Sequence, residues 1–471
     1  MKLGAITGGD ETAAITGFAI DHRKVAPGTI FGAFAGARVN GEDYIPAAIA
    51  AGAIAVVARP QAVVEGAVHI AAHDPRERFA RAAAQFFAPF PPHAVAVTGT
   101  NGKTSTVEMV RQLWRMQGHH AASIGTLGVT TADERATTGL TTPDVVTFLS
   151  NVAGLAREGV THLAFEASSH GLSQYRTEGL PVEAAAFTNL SRDHLDYHGD
   201  MATYLTAKLR LFAEVLGDDG TAVVWADDPH ADRVVDLARV RGNRLITVGE
   251  HGDTLRLTAR DPSLLGQALT IEAEGATHKV QLPLIGAYQA ANALTAAGLV
   301  LATGGTLAAT LAGLARLQPV RGRLERAVIL STGAPVYVDY AHTPDALAAA
   351  IAALRPHVTG RLIVVFGAGG DRDTGKRAPM GEVAAAQADL AIVTDDNPRT
   401  EDAAAIRAQV LEGCPHATEI GDRREAIRAA CAMAGPQDIV LIAGKGHEQG
   451  QIVGDMVLPF DDVQVARECA G

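Results

Sequence analysis

Short apolar runs, each closed by a polar or glycine-rich loop, constrain this chain more than any other feature. AVAVTG, HLAFEASS, AAAFTNLS and TAVVWADD lie between residues 94 and 228, and VYVDYAH, RLIVVFGAGG, DLAIVTDD and DIVLIAGKG lie between residues 336 and 446. Helical stretches separate them, so the pattern is that of βαβ units, which build parallel sheets covered on both faces by helices. Ligands of such sheets gather at the carboxyl ends of the strands, where these polar loops stand. An earlier stretch, TIFGAF, IPAAIAAG and AIAVVAR, reads as strand, helix and strand.

A chain of 471 residues exceeds what one core supports and predicts two to three domains. Breaks are expected at FFAPFPPH, residues 86 to 93, where prolines stop a helix, and near LQPVRGR, residues 317 to 323. The reading is α/β with three domains: 1–89, 90–316 with a central P-loop parallel sheet, and 317–471. A hydrophobic content of 47% fits a globular class, and the formal net charge of −12 opposes a nucleic-acid partner, so any anion must be held locally. No stretch approaches the ~20 apolar residues of a membrane span, and the start has no signal-peptide pattern. Cys414, Cys431 and Cys469 show no metal-ligand spacing. A cytoplasmic, monomeric protein is expected.

AVAVTGTNGKTS places Gly99, Thr100, Asn101, Gly102, Lys103, Thr104 and Ser105 between an apolar strand and the helix-like TVEMVRQLW. Glycines let backbone amides approach phosphates, a helix start adds positive potential, and the lysine supplies a cation. The spacing is two residues shorter than the common GxxxxGK[ST] form. A glycine-rich turn can also bind nothing, but the order of lysine and hydroxyl favours a phosphate site with Thr104 as a magnesium ligand.

A second cluster, TNLSRDHLDYHGD, carries His194 and His198 among Asp193, Asp196 and Asp200. It reads equally as a solvated loop, although Glu166 and His170 at the preceding strand end favour a site for a hard cation. Lys208, in TYLTAKLRLF, reads from spacing alone as a lysine snorkelling from an apolar helix face.

Taken in order, GTNGKTS, EASSHGLSQYR, TNLSRDHLDYHGD, YLTAKLRLF, VRGRLE, DYAHTPD, GDRDTGKR, DNPR and GKGHE resemble the motifs of the Mur ligases over nearly the whole chain, from about Asp21 to Glu448. The resemblance implies a UDP-substrate domain, a central ATPase domain and a Rossmann-like C-terminal domain for an incoming amino acid. It implies that ATP phosphorylates a substrate carboxylate and that an amine attacks the acyl phosphate. It further implies that Lys103 and Thr104 hold phosphates and Mg2+ and that Glu166 and His194 belong to the metal site. Lys208 matches a lysine that takes up CO2 as a carbamate, and Asn292, Arg323 and Asp339 match adenine, phosphate and ribose contacts. Thr141, Thr142, Ser168, Gln174 and Arg176 match contacts to UDP-N-acetylmuramoyl-L-alanyl-D-glutamate.

The sequence departs from the family pattern in three places. Asp21-His22-Arg23 puts an imidazole, His22, where a serine is usual beside the UDP group. Gly36 to Gly41 has Asn40 where aspartate is usual, and GAYQAAN has Gln289 where asparagine is common.

DNPR (Asp396, Asn397, Pro398, Arg399) is the form that the resemblance links to meso-diaminopimelate. Lysine-adding relatives lack that arginine. The second amino acid head of meso-diaminopimelate carries a carboxylate that a planar guanidinium can grip. On this reading Arg399 and Arg372 bind carboxylates, Asp396, Asn397 and Glu448 accept ammonium protons, and Gly444 allows close backbone approach. The alternatives are a lysine-adding or folylpolyglutamate-type ligase, or a non-catalytic nucleotide-binding relative.

Overall fold

Alternation along the strands decides how the sheets are covered. In the computed structural model the strand Leu362–Phe366 sends Val364 and Phe366 into one core and Ile363 and Val365 into another. Its neighbour Ile439–Ala443 divides in the same way, with Leu441 on one face and Val440 and Ile442 on the other. A sheet apolar on both faces must be sandwiched by helices, as the uninterrupted apolar runs predict. The structure describes all residues except 37–38, 133–134, 137–138, 264 and 471, and the side chains of Arg135 and Asp196 also lie outside the described set.

The chain forms two units, Met1–Asp253 with Thr295–Thr306, and Thr254–Leu294 with Leu307–Gly471. The first opens with a parallel four-stranded sheet, β1 Gly17–Ala19, β2 Thr29–Gly32, β3 Ala53–Ala58 and β4 Val68–Ala71, in that order. Helix α1, Pro75–Phe87, begins with Asp74 accepting from the amides of Arg76 and Glu77. It ends at Phe87, inside the predicted break at residues 86 to 93. Its buried residues Phe79, Ala80 and Ala83 join Ile30, Ala55 and Val57 in a core that continues through Phe165 and Phe187. That continuity explains why the N-terminal sheet groups with the next one.

The next sheet comprises β5 His93–Thr98, β6 Ala121–Gly125, β7 His162–Glu166, β8 Val182–Phe187, β9 Leu216–Trp225 and β10 Arg244–Gly249. Its order is β10-β9-β8-β5-β7-β6 and all these pairings are parallel. Strand β5 lies at the centre, with β8 on one side and β7 on the other, so the strand order switches around its carboxyl end. In α/β sheets that is where a ligand crevice opens. Helices α2 Lys103–Met116, α3 Val145–Arg157 and α4 Met201–Arg210 complete the parts used below.

The second unit begins with an antiparallel meander, Leu255–Ser263, Gly266–Ala273 and Ala276–Leu282. Its main sheet contains β11 Glu325–Ile329, β12 Pro335–Asp339, β13 Leu362–Phe366, β14 Leu390–Val393, β15 Thr418–Glu419 and β16 Ile439–Ala443. The order is β11-β12-β16-β13-β14-β15, parallel except for the β11–β12 pair. A hairpin, β17 Gly450–Val453 and β18 Met456–Pro459, follows β16. Helices α5 Arg377–Gln387, α6 Arg423–Met433 and α7 Asp462–Glu468 cap or flank this unit's loops.

Candidate active site

The glycine turn after β5 is shaped by close backbone contact. Gly99 has φ 151° and Gly102 has φ 86°, and a Cβ on Gly99 would overlap the Thr188 hydroxyl. The loop after β8 braces the turn. Thr188 Oγ1 donates to Asn101 O at 2.6 Å, and Asn101 N donates to Asn189 Oδ1 at 2.8 Å. Helix α2 starts at Lys103 with Gly102 at its N-cap and no capping side chain, which leaves its first amides to an external acceptor. Thr104 and Ser105 occupy the buried first turn. Backbone amides at a helix start beside a lysine have the chemistry of an anion cradle.

Two lysines converge on one carbonyl. Lys103 Nζ donates to Gly99 O at 2.9 Å and to Thr100 O at 2.8 Å, and Lys208 Nζ donates to the same Gly99 O at 2.6 Å. Lys208 is only 1% exposed and stands 4.3 Å from the centre of the Tyr204 ring. It therefore does not snorkel, contrary to the spacing-based reading. Burial first, and the Lys103 charge second, hold its pKa well below the usual lysine value. Burial thus favours the neutral, nucleophilic amine over the ammonium.

At the end of β7, Glu166 Oε1 accepts from Thr126 N at 2.7 Å and Oε2 from Thr126 Oγ1 at 3.3 Å. Gly125 makes room for this carboxylate, since a Cβ there would overlap Oε1. Thr141 Oγ1 lies 3.0 Å from Thr126 Oγ1, which joins it to the same group. Thr142 is turned inward. Its hydroxyl donates to Glu166 O at 2.8 Å and accepts from Ser168 N at 3.1 Å, and Ser168 Oγ accepts from Gly171 N at 3.1 Å. Arg176 donates to Thr142 O at 2.7 Å and to Gln174 Oε1 at 2.9 Å, while Gln174 Nε2 donates to Tyr197 OH at 3.0 Å.

His194 sits in the left-handed region at φ 52°, its ring 4.8 Å edge-on from His170, with Nε2 3.5 Å from Asp193 Oδ2. His198 Nε2 lies 3.0 Å from Ser169 Oγ. Toward the N-terminus, His22 stacks on Tyr44 at 4.5 Å and 12°, a flat aromatic pair where the family pattern has a serine. Asn40 Oδ1 accepts from Glu42 N, while positions 37 and 38 of the same motif lie outside the described residues.

In the second unit, β12 ends on Asp339. Its Oδ2 accepts from Leu324 N at 2.7 Å and its Oδ1 from Ala341 N at 2.9 Å, and burial lifts its pKa to about 6 against the pull of Arg323. Gln289 Nε2 donates to Arg323 O at 2.9 Å and Gln289 Oε1 accepts from Asn292 at 3.1 Å. The unusual glutamine is thus the link between two predicted nucleotide contacts. Arg323 lies 5.0 Å from the centre of the Tyr340 ring, and its buried Nε has no hydrogen-bond partner among the described residues.

The DNPR loop is pinned from three sides. Arg399, at φ 53°, donates through its backbone N to Ile452 O at 3.0 Å, and its carbonyl accepts from Gly454 N at 2.7 Å. Its Nη1 donates to Gly370 O at 2.7 Å and to Asn397 O at 3.4 Å, which leaves Nε and Nη2 without a protein partner among the described residues. Arg372 is exposed, its Nη1 reaching only Asp371 O at 3.4 Å. Pro398 is buried beside Gly370, where a Cβ would overlap Pro398 O. Gly444, at φ 119°, lets Asp396 Oδ2 approach where a Cβ would otherwise stand.

Asn397 acts as a bracket. Its Oδ1 accepts from Lys445 Nζ at 2.8 Å and from Ile452 N at 2.9 Å, and its Nδ2 donates to Glu448 Oε2 at 2.9 Å. Lys445, fully buried, also donates to Glu448 at 3.2 Å. The sequence reading missed Lys445 although it stands inside the quoted GKGHE. It also missed Arg377, which ties Gly369 O and Glu401 together at 3.2 and 2.9 Å. A third omission is the buried pair Arg423–Asp462, in which Arg423 also donates to Ala443 O at 3.0 Å.

Comparison with known proteins places these features. Residues 14–97 match the model described as Mur ligase family, catalytic domain; 97–300 match Mur ligase middle domain; and 322–446 match Mur ligase, glutamate ligase domain. The chain is 60% identical, over 99% of its own length and 98% of the relative's, to UDP-N-acetylmuramoyl-L-alanyl-D-glutamate--2,6-diaminopimelate ligase of Zymomonas mobilis. It is 50% identical to the ligase of the same name from Bradyrhizobium diazoefficiens, over 98% and 97% of the two chains. A solved structure of a UDP-N-acetylmuramoyl-L-alanyl-D-glutamate--2,6-diaminopimelate ligase superposes with TM-score 0.76 at 34% identity, covering 100% of this chain and 98% of that one.

Proposed function

The chain belongs to the Mur ligase family, and we propose that it joins meso-diaminopimelate to UDP-N-acetylmuramoyl-L-alanyl-D-glutamate at the expense of ATP, in cytoplasmic synthesis of the peptidoglycan precursor. We infer a UDP-substrate domain at 1–89, an ATP-binding domain at 90–316 and an amino-acid-binding domain at 317–471, a division that the family segments 14–97, 97–300 and 322–446 support.

A carboxylate resists amines until one of its oxygens becomes a leaving group, which phosphorylation by ATP achieves. The protein's share is then positioning and charge neutralisation. The α2 amides, Lys103 and Thr104 would hold the phosphates of ATP; in the second unit, Arg323, whose buried Nε has no partner among the described residues, and Asp339 match nucleotide-contact positions of the family. Thr141 and the Gln174–Arg176 pair would meet the UDP-linked substrate. Thr142 and Ser168 position that wall, because their hydroxyls already serve backbone groups.

The donor set suits Mg2+. Glu166 and Thr104 supply hard oxygens, and no cluster of three or more His, Cys, Asp or Glu able to hold a metal occurs among the described residues. A cation that keeps waters and takes substrate phosphates fits such a partial cage. His194, beside Asp193, would complete the metal-site wall. When bound, the ion would neutralise phosphoryl charge. Lys208, buried where desolvation favours the neutral amine, would take up CO2, and the carbamate would turn a cation site into an anionic ligand for a second ion.

The observation that carries the amino-acid assignment is the guanidinium of Arg399, fastened by one nitrogen with the rest of its fork open. It would grip the distal carboxylate, with Arg372, whose neighbour Asp371 accepts from Thr400, as a second cation, while Glu448 and Asp396 accept ammonium protons. Phosphate release with ATP, Mg2+, the UDP-linked dipeptide and either meso-diaminopimelate or lysine tests the reading. Release dependent on diaminopimelate and weak with lysine is expected. Equal rates with both would overturn the assignment.

A further inference from the structure

Two of the three cysteines meet. Cys431, 6% exposed on α6, belongs to the core cluster against which Cys469, just past α7, packs, and the nearby Cys469 thiol adds to burial in raising the pKa of the Cys431 thiol. Cys469 Sγ also donates to Val465 O at 3.2 Å. Cys414, by contrast, is buried in a separate place and has neither sulfur as a neighbour in its surroundings.

The helices that carry the pair are held in register at their other ends. Arg423 Nη2 and Asp462 Oδ2 are 2.7 Å apart and wholly buried. Cys431 follows Arg423 by eight residues and Cys469 follows Asp462 by seven, which corresponds to about 12 and 10 Å of helix rise. A rigid ion pair at one end and matched offsets at the other keep the sulfurs from drifting apart. Disulfide formation needs such pre-set geometry more than it needs flexibility.

We propose that Cys431 and Cys469 form a dithiol site that a low-molecular-weight disulfide oxidises to an intramolecular disulfide, fastening α7 to α6. The half-exposed Cys469 thiolate attacks one sulfur of the small disulfide, and the first small thiol leaves. Cys431 then attacks the Cys469 sulfur of the mixed disulfide and expels the second small thiol. Two electrons pass from the protein thiols to the oxidant, and both protein S–H protons end on the released thiols. Burial and the neighbouring thiol push the Cys431 thiol up to about 12, so the second step is the slower and accelerates with pH.

The test incubates the full chain with glutathione disulfide, blocks remaining thiols, digests and maps the peptides by mass. A Cys431–Cys469 cross-link lacking two hydrogens is expected, with Cys414 still blocked as a free thiol. The oxidised protein should melt several degrees higher, and a reductant should reverse both changes. Cys431→Ser should stop at the glutathione adduct on Cys469, and Cys469→Ser should form no cross-link. A wild-type chain that retains only the adduct on Cys469, loses Cys414 at the same rate as the pair, or keeps all three thiols would overturn the proposal. The wild-type map is decisive even if a variant folds poorly.

Discussion

Replacing Arg399 with alanine isolates the side chain from the backbone that carries it. The left-handed backbone is pinned by main-chain bonds, Arg399 N to Ile452 O at 3.0 Å and Gly454 N to Arg399 O at 2.7 Å, and alanine keeps both. Alanine and arginine bear a similar cost at φ 53°, so the strain cancels. What disappears is the Nη1 clasp on Gly370 O and Asn397 O together with the open fork. A charge-assisted hydrogen bond contributes about 1.5–3 kcal/mol, and leaving a partly buried carboxylate unpaired brings the loss to about 2–4 kcal/mol. That corresponds to a fall of about 30- to 700-fold in kcat/KM for meso-diaminopimelate. Arg399→Lys keeps the charge and loses the fork, and should fall between alanine and wild type.

The assay is phosphate release with diaminopimelate varied at saturating ATP and UDP-linked dipeptide, then with ATP varied. KM for ATP should stay within about twofold and the melting temperature should hold. Unchanged kcat/KM for diaminopimelate, or equal losses for ATP and diaminopimelate with a lowered melting temperature, would refute the argument.

Lys208→Met should abolish turnover, yet in bicarbonate-free buffer it should raise the melting temperature. The wild-type lysine has its folded pKa below its unfolded one, so its stability deficit grows as pH falls below the unfolded value; the variant's advantage should shrink as pH approaches 10. Asp339, with a folded pKa raised to about 6, is protonated in mildly acidic buffer, so KM for ATP should rise as pH drops through about 6, and Asp339→Asn should flatten that profile. Arg423→Met strands the buried Asp462 carboxylate and should cost about 3–5 kcal/mol in urea unfolding, while adding Asp462→Leu should restore most of it. Gly125→Ala drives a methyl into the buried Glu166 side chain; a stability loss of about 1–3 kcal/mol in urea unfolding, together with a higher Mg2+ requirement in steady-state kinetics, is expected.

What could be read before the structure was local. The parallel sheets followed from apolar runs such as RLIVVFGAGG, and the left-handed glycine turn that opens a helix at Lys103 followed from glycines, lysine and helix start within seven residues. What could not be read depends on which residues face inward and which distant groups meet. Spacing put Lys208 on an apolar helix face but could not tell a lysine pointing out from one turned under the sheet toward Gly99 O, 109 residues away. Thr142 and Asn397 look like ligands in a linear motif because hydroxyls and amides usually are. In the fold their polar atoms are committed to Glu166 O, Ser168 N, Lys445 and Ile452 N.

The same distinction separates residues that touch a ligand from residues that aim them. Glu448 can serve as an ammonium acceptor because Asn397 and the buried Lys445 fix its carboxylate from behind, and Asp396 can approach because Gly444 has no side chain. Arg423 then holds the strand end at Ala443 O, and its charge is tolerable only because Asp462, 39 residues further on, is buried with it. No local periodicity encodes such a pair, since either residue alone reads as an ordinary exposed helix charge. The proposed amino-acid site is therefore specified twice, by a short motif that would supply the groups facing the ligand and by scattered charges that are paired only once the sheet has formed.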